Sequence, residues 1–302
     1  MPPLPRSSGD TVADRRADYA EMLFASGDPA AAAELLLGAL ELAPAWALGW
    51  FRLGEMHEAA GMPAAAAAAW RTTLQLDPAD RPGARLKLEL AGELPLSSAP
   101  PSSFVEALFD QYADTFDQSL VDRLGYRVPE LLVAAIAVAA PGHRFCVAFD
   151  LGCGTGLMGE KLRPLCDTLA GNDISAAMLR KAQARHVYDR LEKADLQALV
   201  LPAGSLDLAT AADVFMYVGA LEGIFATVAA ALVTGGLFAF SVEVHDGAQD
   251  FALRPSRRYA HGEAYIRLLL AGQGFALLSL RRETIRMDRG EPIAGLIVVG
   301  RR

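Results

Sequence analysis

Apolar positions along the chain follow two different rhythms. Up to residue 92 they recur at helical spacing, in Ala- and Leu-rich runs broken at Gly27, Pro44, Gly61 and Pro78. Aligning Pro44 with Pro78 gives a period of 34 residues, which also superposes Gly27 on Gly61, Ala32 on Ala66, Leu36 on Trp70 and Ala20 on Gly54. The first copy covers 13–46 and the second 47–80, and 81–92 reads as a lone closing helix. Gly54 and Ala66 are small enough for two antiparallel helices to approach closely. Leu53 and Trp70 fill the layer around them, and Pro78 cannot continue the second helix. About three repeats make an independent stack, so this module is expected to lean on the rest of the chain or on another subunit.

Pro and Ser interrupt the helical rhythm at 93–103, which reads as a linker. Beyond it, short runs rich in Val, Leu and Phe at 145–150, 206–212, 236–242 and 293–299 are mostly separated by helical stretches. Strands alternating with helices predict a parallel sheet covered on both faces. Segments 275–286 and 292–300 flank the turn-like Asp288-Arg289-Gly290, so the last two strands are expected to form a hairpin and make the sheet mixed. The expected organisation is a disordered 1–12, an all-α module at 13–92, a linker at 93–103 and an α/β domain at 104–302.

Composition narrows the chemistry. The 302 residues are 52% hydrophobic with a formal charge of -8, which excludes a disordered or collagenous chain and makes nucleic acid and anionic membranes poor partners. The stretch 254–258 is an example of a locally basic segment. Cys146, Cys153 and Cys166 are an odd number without a CxxC pair, so neither a disulfide framework nor a metal site is expected. The N-terminus lacks the apolar core of a signal peptide, and the apolar run 131–140 is too short for a membrane span. A cytoplasmic location is therefore expected.

The segment most informative about function is 145–159, FCVAFDLGCGTGLMG, a buried-strand pattern that runs into glycines and then a helix. Gly154, Gly156 and Gly159 satisfy the GxGxxG of a dinucleotide site. Asp150, two residues before Gly152, would oppose a pyrophosphate and favours a ligand with positive groups. Asp173 follows the apolar approach 169–172, with Ser175 placed to cap a helix over 176–185. A carboxylate at the end of a second strand can accept hydrogen bonds from both ribose hydroxyls. Asp195-Leu196 follows a third expected strand, and Ala212-Asp213 closes the run 206–212.

Taken together, Asp150 with Gly152, Gly154 and Gly156, then Asp173, Asp195 and Asp213, resemble the ordered motifs of class I S-adenosylmethionine-dependent methyltransferases. The resemblance implies a Rossmann-like seven-stranded sheet whose last strand is antiparallel, and S-adenosyl-L-methionine as cofactor. It places Gly152, Cys153, Gly154 and Gly156 along the cofactor, Asp173 at the ribose, Asp195 and Leu196 at the adenine, and Ala212 and Asp213 in the fourth motif, and counts Ile174 and Met178 among the cofactor-binding residues. The helix around Phe109, Tyr112 and Phe116 would fold over the cofactor as a lid, with Tyr112 or Phe116 near the methionine portion and Tyr126 or Arg127 available to its carboxylate. The 34-residue period resembles the tetratricopeptide repeat, here with His57 at a usually aromatic position. Segments 109–132, 240–243 (FSVE) and 258–261 (RYAH) resemble a bacterial group of methyltransferases that carry such repeats. That group often has Gly at the position of Arg257 and Ser at that of Gly262, so the acceptor does not transfer from it.

Methyl transfer by in-line displacement asks the protein to align acceptor and methyl group and to exclude water. A hydroxyl or protonated amine acceptor also needs a base. Glu243 and His245 are the preferred candidates, with Tyr217, Tyr259 and His261 nearby. The acceptor, a small molecule or a protein, is unidentified, and the repeats would bind a protein partner or support a homo-oligomer. The competing readings are a repeat adaptor whose cofactor domain does not turn over, and an NAD-dependent oxidoreductase, which Asp150 and the final hairpin disfavour.

Overall fold

A computed structural model describes residues 6–117, 125–288 and 290–302. The chain divides into two compact units, 1–107 and 108–302. The first holds α1 (Thr11–Ala25), α2 (Pro29–Leu40), α3 (Ala47–Ala59), α4 (Pro63–Leu76) and α5 (Ala84–Leu90), and α6 (Ser102–Tyr112) crosses the boundary. Proline at the first position starts α2 and α4, where its missing N–H costs nothing. Successive helices pack in pairs over small side chains. A Cβ on Gly54 would lie 2.2 Å from Trp70 Nε1, so only glycine lets the indole settle between α3 and α4.

Two boundaries differ from the sequence expectation. Residues 6–12 are ordered rather than disordered: Asp10 caps α1 by accepting from the Val12 and Ala13 amides, and Asp14 accepts from Ser7 and Ser8. Residues 1–5 lie outside the described residues. The 93–103 linker ends early, because α6 already begins at Ser102.

In the second unit, α7 (Val128–Ala139) precedes β1 (Phe145–Leu151), α8 (Leu157–Leu162), β2 (Cys166–Asp173), α9 (Ala176–Ala184), β3 (Arg190–Lys193), β4 (Leu206–Ala211), α10 (Glu222–Ala231) and β5 (Leu232–His245). The chain ends with β6 (Phe251–Leu253), β7 (Tyr259–Gly262), α11 (Glu263–Gly272), β8 (Ala276–Asp288) and β9 (Glu291–Arg301). Strands β3-β2-β1-β4-β5 are parallel neighbours, and β9 inserts antiparallel between β5 and β8. The expected α/β sheet with an antiparallel final strand is thus present, its last hairpin joining Asp288 to Glu291 across Gly290; Arg289 lies outside the described residues.

β5 is twice the length of the run that predicted it. Its C-terminal extension carries a short hairpin, β7 with β6, that the apolar pattern did not reveal. Phe215 and, from α10, Phe225 pack against Phe238 and Phe240 of β5 in an aromatic cluster with centroids 4.6–6.3 Å apart. This cluster pins the turn Phe215–Tyr217 at the C-terminal end of β4. No helix among the described residues is long and apolar enough to cross a membrane.

Candidate active site

The C-terminal ends of β1, β2, β4 and β5 lie together at one end of the sheet, where a parallel sheet of this order places its ligand crevice. The loop from β1 to α8 turns sharply at Gly152, with φ of +60°. A Cβ there would also meet the Val214 side chain at 2.2 Å. Gly154 is different: a Cβ on it would meet nothing within 4 Å, so this part of the loop faces open space. Its amide donates to Asp173 Oδ2 at 2.9 Å, and the Ser175 amide donates to Asp173 Oδ1 at 2.8 Å. The second acid thereby fixes the loop to the start of α9, with the carboxylate at the crevice. Burial pushes its pKa up to about 6, against the pull of the Ser175 and Gly154 amides.

Asp150 has another role than the one expected. It is 1% exposed; its Oδ1 accepts from Thr210 Oγ1 at 2.9 Å and its Oδ2 from the Tyr188 hydroxyl at 2.7 Å. The carboxylate therefore anchors the end of β1 to β4 and to Tyr188 beneath the loop, instead of projecting toward a ligand cation. Tyr188 was not legible in the sequence. It follows α9 in a turn with no periodicity, and it explains the third glycine of the GxGxxG pattern: a Cβ on Gly159 would lie 2.3 Å from the Tyr188 ring. That glycine makes room for a tyrosine rather than for a dinucleotide.

Burial raises the Asp150 pKa from 3.8 to about 7, against the lowering pull of Tyr188 and Thr210. Between these values the folded chain holds a proton that the unfolded chain has lost, so this group's contribution to stability falls as pH rises from about 4 to about 7 and then levels. Asp150→Asn removes that slope, while the similar slope from Asp173 remains in both proteins. The melting temperature of the variant minus that of the wild type should therefore grow from pH 5 to pH 8 in thermal melts; a constant difference would contradict the assignment.

Cys153 is 6% exposed, and burial next to Asp150 and Asp173 pushes its thiol well up, so it fills the turn as a neutral side chain. Ile174, directly after β2, is partly exposed, whereas Met178 is fully buried. Asp195 caps the short turn Leu196–Ala198 by accepting from the Gln197 amide at 2.9 Å, with Asp195 and Leu196 both partly exposed after β3. Tyr126 stands within the field of Asp213 and Asp150; burial chiefly, and then these acids, push its phenol well up. Arg127 is exposed, and its amide donates to the Ile285 carbonyl as α7 begins. Tyr112 is 54% exposed, so of the two aromatic lid candidates Phe116, edge-on to Phe109 at 6.0 Å, is the one that packs.

The segment around α6 docks through charges that sequence reasoning missed. Asp110 accepts from the Ser175 hydroxyl at 2.6 Å and from the Ala177 amide, adding to the N-cap of α9. Asp114 pairs with Lys181, and Asp117 accepts from Thr155 and pairs with Arg185. Spacing of three and four residues puts these acids on one side of the segment, a regularity the sequence does carry.

Of the two expected bases, Glu243 is tied up in an ion pair, whereas His245 engages only Nδ1 and has a buried Nε2 with no hydrogen-bond partner among the described residues. Glu243 is 2% exposed and ion-paired with Arg286, which also binds both oxygens of Asp213 at 2.6 and 2.8 Å. Burial works against the charge on Arg286, but Asp213 and Glu243 outweigh it and hold the guanidinium protonated. Asp213, at φ of +58°, neither caps a helix nor is free for a ligand. His245 Nδ1 accepts from the Gly247 amide at 3.0 Å. His261 does not cap α11, whose N-cap is Gly262. Its Nε2–H faces the Val218 and Gly219 carbonyls at 3.0 and 2.9 Å, and burial lowers its pKa to about 4, so it is a neutral brace for the loop after Tyr217. Tyr259 is fully buried.

Comparison with known proteins agrees with this geometry. Residues 149–240 match a family model described as a methyltransferase domain. Methyltransferase-like protein 27 of Homo sapiens is 38% identical over 103 residues, 33% of this chain and 42% of that protein. Malonyl-[acyl-carrier protein] O-methyltransferase of Prosthecochloris aestuarii is 26% identical over 187 residues, 59% of this chain and 68% of that protein. The chain thus spans less than half the length of the first relative. A Haloferax volcanii methyltransferase solved in complex with the Trm112 methyltransferase activator shares the fold, with a TM-score of 0.50 at 20% identity over 64% of this chain and 96% of the other.

Proposed function

We propose, from the premise that the chain carries a class I S-adenosylmethionine-dependent methyltransferase domain, that it is an enzyme transferring a methyl group to a small-molecule or protein acceptor. The observation that carries the reading is the loop at Gly154: open space above the glycine and its amide tied to Asp173 at the end of β2, with the nearby Arg185 paired to Asp117 and Glu160. These residues fit the cofactor. Asp173 would accept the ribose hydroxyls, the 152–156 backbone would lie along the ligand, Asp195 and Leu196 would bracket the adenine, Phe116 would stand near the methionine portion, and Tyr126 or Arg127 would be available to its carboxylate. Once bound, S-adenosylmethionine supplies a methyl group already activated on a sulfonium. The chain's own task is then to align the acceptor, exclude water and, where the acceptor requires it, take a proton.

Pairing of α1 with α2 and of α3 with α4, with Trp70 seated on Gly54, supports reading 13–92 as two tetratricopeptide repeats and a closing helix that bind a protein partner or a second copy. The engagement of Glu243 by Arg286 is what favours the alternative, a repeat adaptor that binds cofactor without turnover. Incubation with methyl-labelled S-adenosylmethionine and cell extract separates them: label in any product supports the enzyme. Cofactor binding with no label in protein, nucleic-acid and small-molecule fractions supports the adaptor.

Asp173→Ala should weaken S-adenosylmethionine binding at least tenfold in calorimetry. It removes a charged acceptor whose hydrogen bonds are worth about 1.5–3 kcal/mol each, and it frees the Gly154 amide. Unchanged affinity would take Asp173 out of the site.

A further inference from the structure

The hairpin on the β5 extension brings arginines to the same end of the sheet as the methyl-transfer crevice. Arg254 and Arg258 flank its turn, which the Arg254 amide closes by donating to the Arg258 carbonyl at 2.8 Å. Arg258 lies against the Tyr217 hydroxyl and reaches Asp288 at 3.1 Å. Arg254 donates to the Val244 carbonyl and stands 4.0 Å from Glu243. Beneath them Arg286 is 1% exposed and takes Asp213 and Glu243 for itself, whereas Arg254 and Arg258 are 34% and 24% exposed. Each guanidinium offers five N–H donors, so the two outer arginines keep several that their partners among the described residues do not use. Tyr217, edge-on to Phe109 at 5.0 Å, sets this pair beside the end of β4.

We propose that this cluster is the acceptor site and that the acceptor is a carboxylate, gripped by Arg258 and Arg254 beside Tyr217. The proposal rests on the methyl-transfer reading. Paired guanidinium forks match the planar geometry of a carboxylate. An ionised carboxylate also brings its own lone pair and needs no base, consistent with Glu243 being locked on Arg286. One carboxylate oxygen forms the new O–CH3 bond while the S–CH3 bond breaks with its electron pair passing to sulfur. The products are a methyl ester and the neutral thioether S-adenosylhomocysteine, and no proton moves.

The test uses the full chain, tritiated-methyl S-adenosylmethionine and a cell extract, followed by treatment with alkali. Alkali releases an ester methyl as volatile methanol and leaves ether, amine and sulfur-bound methyl groups in place. The expected result is label that turns volatile and falls at least tenfold in Arg258→Gln, while S-adenosylhomocysteine affinity stays within twofold and Arg15→Gln behaves as wild type. As a direct probe, malonate should bind the S-adenosylhomocysteine-loaded wild type and bind at least tenfold more weakly to Arg258→Gln; Arg254→Gln serves if that variant does not fold. Alkali-stable label, equal labelling by the variants, or no labelled ester although S-adenosylhomocysteine binds would each overturn the carboxylate assignment. Failure of the cofactor itself to bind would instead remove the reading on which it rests.

Discussion

Arg286→Met should lower the unfolding free energy by about 3–5 kcal/mol, the cost of leaving buried charge without its partner. This one guanidinium pairs with both Asp213 and Glu243, Glu243 having Arg254 as a second cation only at 4.0 Å, and Glu243 and Arg286 are almost completely covered. With the arginine gone, each carboxylate must stay charged in a poorly solvated place or take up a proton at a cost. The melting temperature should fall by about 10 °C or more for a unit of this size. Arg286→Lys should rescue only part of the loss, because a single ammonium cannot reproduce the fork that spans the ends of β4 and β5. The triple variant that also carries Asp213→Asn and Glu243→Gln should recover much of it, since the uncompensated charges are then absent. A triple variant no more stable than Arg286→Met would locate the loss in packing rather than in charge.

Gly159→Ala is expected to be damaging although it adds a single methyl group. The added carbon would lie 2.3 Å from the Tyr188 ring, and the ring already lies against Gly156 and Gly171 on its other contacts. Overpacking of this kind costs about 1–3 kcal/mol. Displacing Tyr188 also takes its hydroxyl from the buried Asp150, which adds about 1–3 kcal/mol for an unsatisfied group. Urea unfolding should show the loss. Pairing Gly159→Ala with Tyr188→Ala should cost clearly less than the two single changes added together, because the second removes the clash created by the first. Strict additivity would mean that the glycine serves something other than the tyrosine.

These two sites show why part of the molecule was legible in its sequence and part was not. Short apolar runs ending in Asp150, Asp173 and Asp213 marked β1, β2 and β4, because strands buried on both faces must be apolar along their whole length. The closing hairpin was equally plain from its two long β-rich runs around a turn. Nothing local marked Arg286 as buried: it sits in RRETIRMD, which reads as a polar edge strand. Its burial depends on Asp213 and Glu243, far away in sequence, being brought to it by β4 and β5. The same reason hid Tyr188 and turned the expected role of Asp150 around. A carboxylate at a strand end looks like a ligand for cations until the fold supplies Thr210 and Tyr188 to occupy it. Glu243 was misread in the same way, as a base rather than as the partner of an arginine. Positions set by backbone geometry alone, such as the Gly154 loop after β1 and Asp173 at the end of β2, could be read from spacing. Those whose roles depend on a distant partner could not.

The central claim is that the loop at Gly154 and the acid at Asp173 form an S-adenosylmethionine site. Calorimetric titration of the full chain with S-adenosylmethionine tests it most directly. One saturable site per chain, weakened at least tenfold in Asp173→Ala, is the predicted result. A folded wild-type protein that takes up no S-adenosylmethionine, or that binds NADH in its place, would contradict the account.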